Sequence, residues 1–228
     1  MTYAPVLESQ IWGVLLKTTH PIPVTDIQFD ITTDDAAKAL ASIFQSTGLS
    51  KHFSPMIVVF GHGASLVNNP YFAGYNCGAC SGKKGGQNAR LFARLANDIQ
   101  IRTFLLDNYG IEITSDTVFI VGKHDTTKDT IIYYDESYIP LTHIQRFHDI
   151  QSLVSVALAN NALERCHRFF LANAKTPADA LCHVQRRASD YAEMRPELNH
   201  ATNAGVVVGR RCLTQSSFFR STSLSYEL

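Results

Sequence analysis

The sequence predicts an α/β fold in three layers with a mainly parallel sheet. Three observations carry this expectation: short, β-branched apolar runs at 56–60 and 116–121, helical spacing before and between them, and a histidine-bearing loop directly after each run. Strands that alternate with helices favour parallel pairing, because a parallel neighbour is reached only by a long crossover.

Residues 33–46 open with a threonine and paired aspartates and place Ala37, Leu40, Ile43 and Phe44 at helical spacing, which predicts a capped helix facing a core. The uninterrupted run Met56-Ile57-Val58-Val59-Phe60 suits a strand buried on both faces, with Gly61-His62-Gly63 ending it. Residues 87–97 carry Ala89, Phe92, Ala93 and Ala96 on one helical face behind Gly85-Gly86. A helix that starts beside a glycine-rich loop aims free N–H groups at that loop and favours an anion there. A helix over 99–108 ends at Gly110, a residue suited to a C-terminal cap. The second buried strand, 116–121, leads to His124-Asp125-Thr126-Thr127, and 130–134 reads as a further strand.

From about Pro140 to Ala174 the pattern turns helical, with Leu153, Val156, Ala157, Ala159 and Leu163 before Arg165-Cys166-His167-Arg168, whose paired cations read as a solvated face. Pro177 opens a last helix toward Ala188, Glu193 and Arg195 are candidates for an ion pair, and 204–208 closes the chain's pattern as an apolar strand. This divides the chain into an α/β region, 1–139, and a helical extension returning to a final strand, 140–228.

The chemistry concentrates between residues 60 and 90, FGHGASLVNNPYFAGYNCGACSGKKGGQNAR. His62 at the carboxyl end of a strand occupies the position where open α/β sheets hold their ligands. Cys77 follows across a loop punctuated by Asn68-Asn69-Pro70 and Gly74, and imidazole with thiolate is a zinc donor set. Cys77 and Cys80 also have the CxxC spacing of redox pairs and zinc knuckles, although a lone CxxC is a weak signal. The plainer alternative is that His62 is a satisfied rim histidine and each cysteine a small hydrophobe. His124 and Asp125 are candidates to orient a ligand from the neighbouring strand end; equally, Asp125 and the threonines form a turn through bonds to their own backbone. The adjacent pairs Cys166-His167 and Cys182-His183 point to different faces of a helix and are poor metal sites.

GHG, NNP, NCGACSG and GGQNAR in this order resemble the C-terminal half of the DabA family, large subunits of bacterial inorganic carbon accumulation systems with a site like that of β-carbonic anhydrases. The resemblance continues through Gly110-Ile111, Asp116-Thr117, His124-Asp125-Thr126-Thr127, Arg187, the segment 190–197 and Asn203-Ala204. It implies a β-carbonic-anhydrase-like fold and zinc held by four residues, of which the histidine of GHG and the first cysteine of CGAC are His62 and Cys77. The other two, a cysteine and an aspartate of an upstream CxDxR segment, have no counterpart, since no cysteine precedes Cys77. The aspartate-arginine pair of that segment is missing with them. The resemblance thus implies the C-terminal part of a larger protein that hydrates CO2 to bicarbonate, with Gly63, Asn88 and a helix N-terminus shaping an anion pocket. It also implies a proton-translocating membrane partner of the DabB type and a peripheral place on the cytoplasmic side of the inner membrane. The fragment alone would be inactive, with only half of the metal site.

Composition agrees with a globular piece of this kind. The 228 residues carry 20 Lys and Arg against 20 Asp and Glu, with no basic stripe, which disfavours a nucleic-acid partner. No apolar stretch approaches a bilayer span, and five scattered cysteines read as reduced thiols. Two other classes stay open: an anion-binding or structural-zinc module without turnover, and a dithiol redox pair at Cys77 and Cys80.

Overall fold

A computed structural model describes residues 31–69 and 82–193. Cys77, Cys80, Arg195, Asn203, Cys212 and the strand expected at 204–208 lie outside the described residues. The elements in chain order are α1 (Thr33–Thr47), β1 (Met56–Gly63), α2 (Gly86–Asn97), α3 (Ile99–Tyr109), β2 (Val118–Asp125), β3 (Thr130–Tyr134), α4 (Ile144–Cys166) and α5 (Pro177–Ala188), with short 3-10 turns at Glu136–Tyr138 and Leu141–His143.

The three strands form a sheet in the order β1-β2-β3. Val118 N donates to Pro55 O at 2.9 Å, and Thr126 N to Gly63 O at 2.8 Å. The same sequence offset at both ends makes β1 and β2 parallel, with α2 and α3 in the crossover. Four residues join β2 to β3, a connection that admits only antiparallel neighbours. The α/β class is as expected, but one of the two pairings is antiparallel, so the sheet of the described residues is mixed.

The described residues divide into two compact units whose segments interleave: 31–61, 85–123 and 132–144 in the first, 62–69, 82–84, 124–131 and 145–193 in the second.

In the first unit, Thr32 caps α1 by accepting from Asp35 N, and Gly48 closes it in the left-handed region at φ 74°. Its apolar face buries Ala37, Leu40 and Phe44, as the spacing predicts, whereas Ile43 is 45% exposed and faces away from the core. Phe44 meets Phe53 edge-on at 5.4 Å between ring centroids and also packs on Phe92 and Phe119. Edge-to-face pairs of this kind add about 0.5–1.5 kcal/mol each beyond burial. Ala89, Ala93 and Ala96 of α2 and Ile101 and Leu105 of α3 complete this core, with Phe119 and Val121 from one face of β2.

Asn97, the last residue of α2, holds the sheet as a strand would: its Nδ2 donates to Phe119 O at 2.8 Å and its Oδ1 accepts from Phe119 N at 2.9 Å. Arg102 of α3 is buried and donates to Ala96 O, Asn97 Oδ1, Thr114 O and Thr117 O, so a cation in the core has its donors met by fixed acceptors.

Two expectations for β1 are corrected. The strand does not stop at Phe60 but runs through Gly63, because the Gly63 carbonyl remains in the ladder with Thr126. Nor is it buried on both faces: Phe60, on the face opposite Ile57 and Val59, is 46% exposed.

The second unit has its own small core. The last turns of α4 pack on α5 through Ala162, Cys166, Phe169, Ala180 and Val184. α5 starts with Pro177 as expected, under a capping box in which Thr176 and Asp179 satisfy each other's backbone N–H. The helix expected from Pro140 to Ala174 is confined to Ile144–Cys166, since the 3-10 turns precede it and Phe169 folds back into the core after it.

Candidate functional site

Strand alternation sets where His62 points. Ile57, Val59, Gly61 and Gly63 share one face of β1, and His62 projects from the other with Val58 and Phe60. The imidazole is half-buried, and its Nε2 is enclosed without a hydrogen-bond partner among the described residues. Such an atom costs about 1–3 kcal/mol unless something pairs with it. A metal ion is a fitting partner for a neutral imidazole nitrogen; Cys77, its expected companion, lies outside the described residues. Among the described residues no three His, Cys, Asp or Glu side chains cluster as a metal site.

Asn88 sits in the first turn of α2, whose N-cap Gly85 supplies no side-chain bond. The Asn88 Oδ1 is buried without a donor among the described residues. An amide oxygen does not bind an anion, but exchanging Oδ1 and Nδ2 by rotation would present two N–H donors at the same place. The close approach of Gly61 to Gly85 and Gly86 fixes the entry to this helix: a Cβ on Gly61 would lie 2.5 Å from Gly85 C and 2.6 Å from Gly86 N.

His124 and Asp125 end β2 in the second unit and turn to local partners. Asp125 Oδ1 accepts from Thr127 N at 3.1 Å, Thr127 Oγ1 at 2.6 Å and Lys128 N at 3.3 Å, the pattern of a self-bonded turn. Burial raises the Asp125 carboxyl, but the hydrogen bonds from Ser65, Thr127 and Lys128 outweigh it and hold the acid below its ordinary range. A depressed carboxyl contributes stability that is complete above the unfolded value, about 3.9, and is lost as pH falls through the folded value. Urea midpoints measured from neutral pH into the acid range should therefore drop less steeply below about pH 4 in Asp125→Asn than in the wild-type chain. Parallel pH profiles would show that the turn does not titrate with folding.

His124 Nε2 lies 3.1 Å from Asp129 Oδ1. Asp129 is a hub that local sequence patterns do not reveal. Its side chain is fully buried, its backbone is left-handed at φ 49°, and it also receives Asn161 Nδ2 at 2.9 Å and Arg165 NH1. Arg165 is thus corrected from a solvated face to an almost buried ion pair. Arg168, on the same helical stretch, does face solvent and pairs with Glu164. Beside Arg165, Arg187 stacks over Phe169 at 4.9 Å and reaches Glu193 at 3.4 Å; Arg195, the partner expected for Glu193, lies outside the described residues. In the first unit, Arg90 is buried against Asp135 in a two-pronged pair at 2.8 and 2.6 Å, again unforeseen. Cys166 is buried with its thiol pushed up by desolvation, and Cys182 is exposed; both are free thiols.

No helix among the described residues is long and apolar enough to cross a membrane. No solved structure matches this chain. The family model described as "Probable inorganic carbon transporter subunit DabA" matches residues 6–224. The probable inorganic carbon transporter subunit DabA 1 of Sorangium cellulosum is 45% identical over 197 residues, 84% of this chain and 19% of its own length. A DabA 2 subunit of Rhodopirellula baltica is 39% identical over 94% of this chain and 21% of its own, and the subunit of Azotobacter vinelandii 40% over 88% and 24%. The chain thus spans about a fifth of the length of these curated relatives. With the family model covering nearly every residue and the GHG and CGAC segments in place, this chain belongs to the DabA family of probable inorganic carbon transporter subunits.

Proposed function

We propose that this chain supplies His62 and Cys77 to a zinc site at which a DabA-family protein hydrates CO2 to bicarbonate during energy-coupled inorganic carbon uptake. The observation that carries the reading is the enclosed Nε2 of His62, unpartnered among the described residues and held at the end of β1 in a chain whose relatives are named as inorganic carbon transporter subunits. Bound zinc supplies Lewis acidity that brings the pKa of water toward neutrality. His62 serves it with a neutral Nε2, which requires its proton on Nδ1, and Cys77 serves as a thiolate. Two donors hold zinc weakly, so the remaining ligands come from a CxDxR segment of the longer protein, and the 228 residues alone do not hydrate CO2. In this reading the surrounding fold is carbonic-anhydrase-like, and the intact subunit sits on the inner membrane's cytoplasmic side with a DabB-type proton-translocating partner.

The test is zinc competition against a chromophoric chelator. The wild-type chain should take up zinc weakly, His62→Ala and Cys77→Ser should abolish uptake, and Cys80→Ser should leave it intact. Loss in Cys80→Ser as well would replace this reading by a structural knot in which the CxxC pair and His62 together hold the metal.

A further inference from the structure

The chain leaving His62 is tied to fixed groups at every second residue. Gly63 O accepts twice from Thr126, from its N at 2.8 Å and from its Oγ1 at 3.0 Å, and Ser65 N donates to Thr127 Oγ1 at 3.2 Å. Val67 N then donates to Ala188 O at 3.1 Å, and Asn68 Nδ2 to Tyr191 O at 2.9 Å. All of these residues belong to the second unit, as His62 does. Residues 64–68 lie outside any helix or strand, so these bonds rather than a ladder set their path.

Thr127 is the member of this set whose bonding is directed by a charge. Its side chain is buried, and its hydroxyl has one proton and two lone pairs to place. Asp125, held ionised by its donors, can only accept, so the 2.6 Å contact between Thr127 Oγ1 and Asp125 Oδ1 takes the hydroxyl proton. A lone pair of the same oxygen is then left to accept from Ser65 N, three residues beyond His62. A buried carboxylate thus aims a hydroxyl, and the hydroxyl holds the backbone that follows the expected metal donor. We propose that Thr127 is a positioning residue for His62: oriented by Asp125, its hydroxyl sets the path of residues 63–65 and with it the direction of the imidazole at the zinc site. The zinc in this statement rests on the function proposed above, whereas the hold of Thr127 on the imidazole is a property of the chain alone.

Long-range proton-nitrogen correlation spectra of the metal-free chain, with the His62 ring assigned by its loss in His62→Ala, read the imidazole directly. Thr127→Val keeps the shape and removes both hydroxyl bonds. In that variant the His62 ring resonances should shift or broaden, and zinc uptake against the chelator should weaken about tenfold or more, the usual cost of losing a group that orients a ligand. Thr127→Ser returns the hydroxyl and should return both readouts to wild type. Thr176→Ala removes the N-terminal cap of α5, at the opposite end of that helix from Ala188, and should destabilise the unit while leaving the His62 resonances in place. Thr126→Val, which removes the hydroxyl bond to Gly63 O and keeps the backbone one, is the milder variant and should move the same resonances. His62 resonances unchanged in folded Thr127→Val, or in Thr126→Val where the former does not fold, would overturn the proposal. So would a failure of Thr127→Ser to restore them, or an equal change in Thr176→Ala. Resonances that move in Thr127→Val and return in Thr127→Ser, in a wild-type chain that takes up no zinc, would remove the metal and leave the positioning role standing.

Discussion

Replacing Asp129 with asparagine should lower the unfolding free energy by about 3–5 kcal/mol, the cost of breaking a buried ion pair from one side. Asparagine keeps the shape and, like aspartate, tolerates the left-handed backbone seen at φ 49°, so the substitution removes charge without imposing strain. What it leaves behind is the Arg165 guanidinium, 11% exposed and without its carboxylate, together with His124 and Asn161 facing an amide in place of an acid. Displacement of the Arg165 guanidinium toward solvent would pull on the last turns of α4, where Ala162 and Cys166 form the core with α5. Adding Arg165→Met to Asp129→Asn should recover part of the loss, because removing both charges is far less costly than removing one. Urea denaturation of the two single variants and the double variant reads both effects. Equal midpoints for Asp129→Asn and wild type would mean that water serves Arg165 as well as the carboxylate does.

The contrast between Asp129 and the elements around it shows what local sequence can convey. The caps of α1, α3 and α5, the apolar spacing of α1 and α2 and the position of β3 were all readable, because each depends on residues within one or two turns of one another. Asp129 and Arg165 are 36 positions apart, and Arg90 and Asp135 are 45 apart. Nothing in a charged turn or a basic helix end distinguishes a pair that the fold will bury from two solvated ions. The same limit explains Gly61-His62-Gly63, where glycines suggested the end of a strand although a neighbour's hydrogen bonds continued it. It also explains Ile43 and Phe60, whose apolar character said core while the outer face of β1 and the far side of α1 left them exposed. Of the candidate site, His62 was expected just past the strand and stands within its last residues. The Asp125 turn was readable only as one of two alternatives, since its carboxylate could serve its own backbone or a ligand.

Gly61→Ala should destabilise the first unit by about 3 kcal/mol, through overlap alone. No left-handed backbone is involved at this position, so alanine suits the strand itself. The obstacle is that the new methyl would sit 2.5 Å from both the carbonyl carbon and oxygen of Gly85 and 2.6 Å from Gly86 N, all backbone atoms that cannot swing aside as a side chain would. Either β1 or the first turn of α2 must shift, and Ala89 N, which donates to Gly85 O, shifts with it. Gly48→Ala is the informative comparison: its site is open but its φ is 74°, so alanine there should cost only about 1–2 kcal/mol, from backbone conformation. Because Gly61 directly precedes His62, a displaced strand end would also misplace the imidazole. Zinc uptake should then fall in Gly61→Ala but not in Gly48→Ala, even under conditions where both variants are folded. Wild-type zinc uptake in a destabilised Gly61→Ala chain would mean that α2, not β1, gives way.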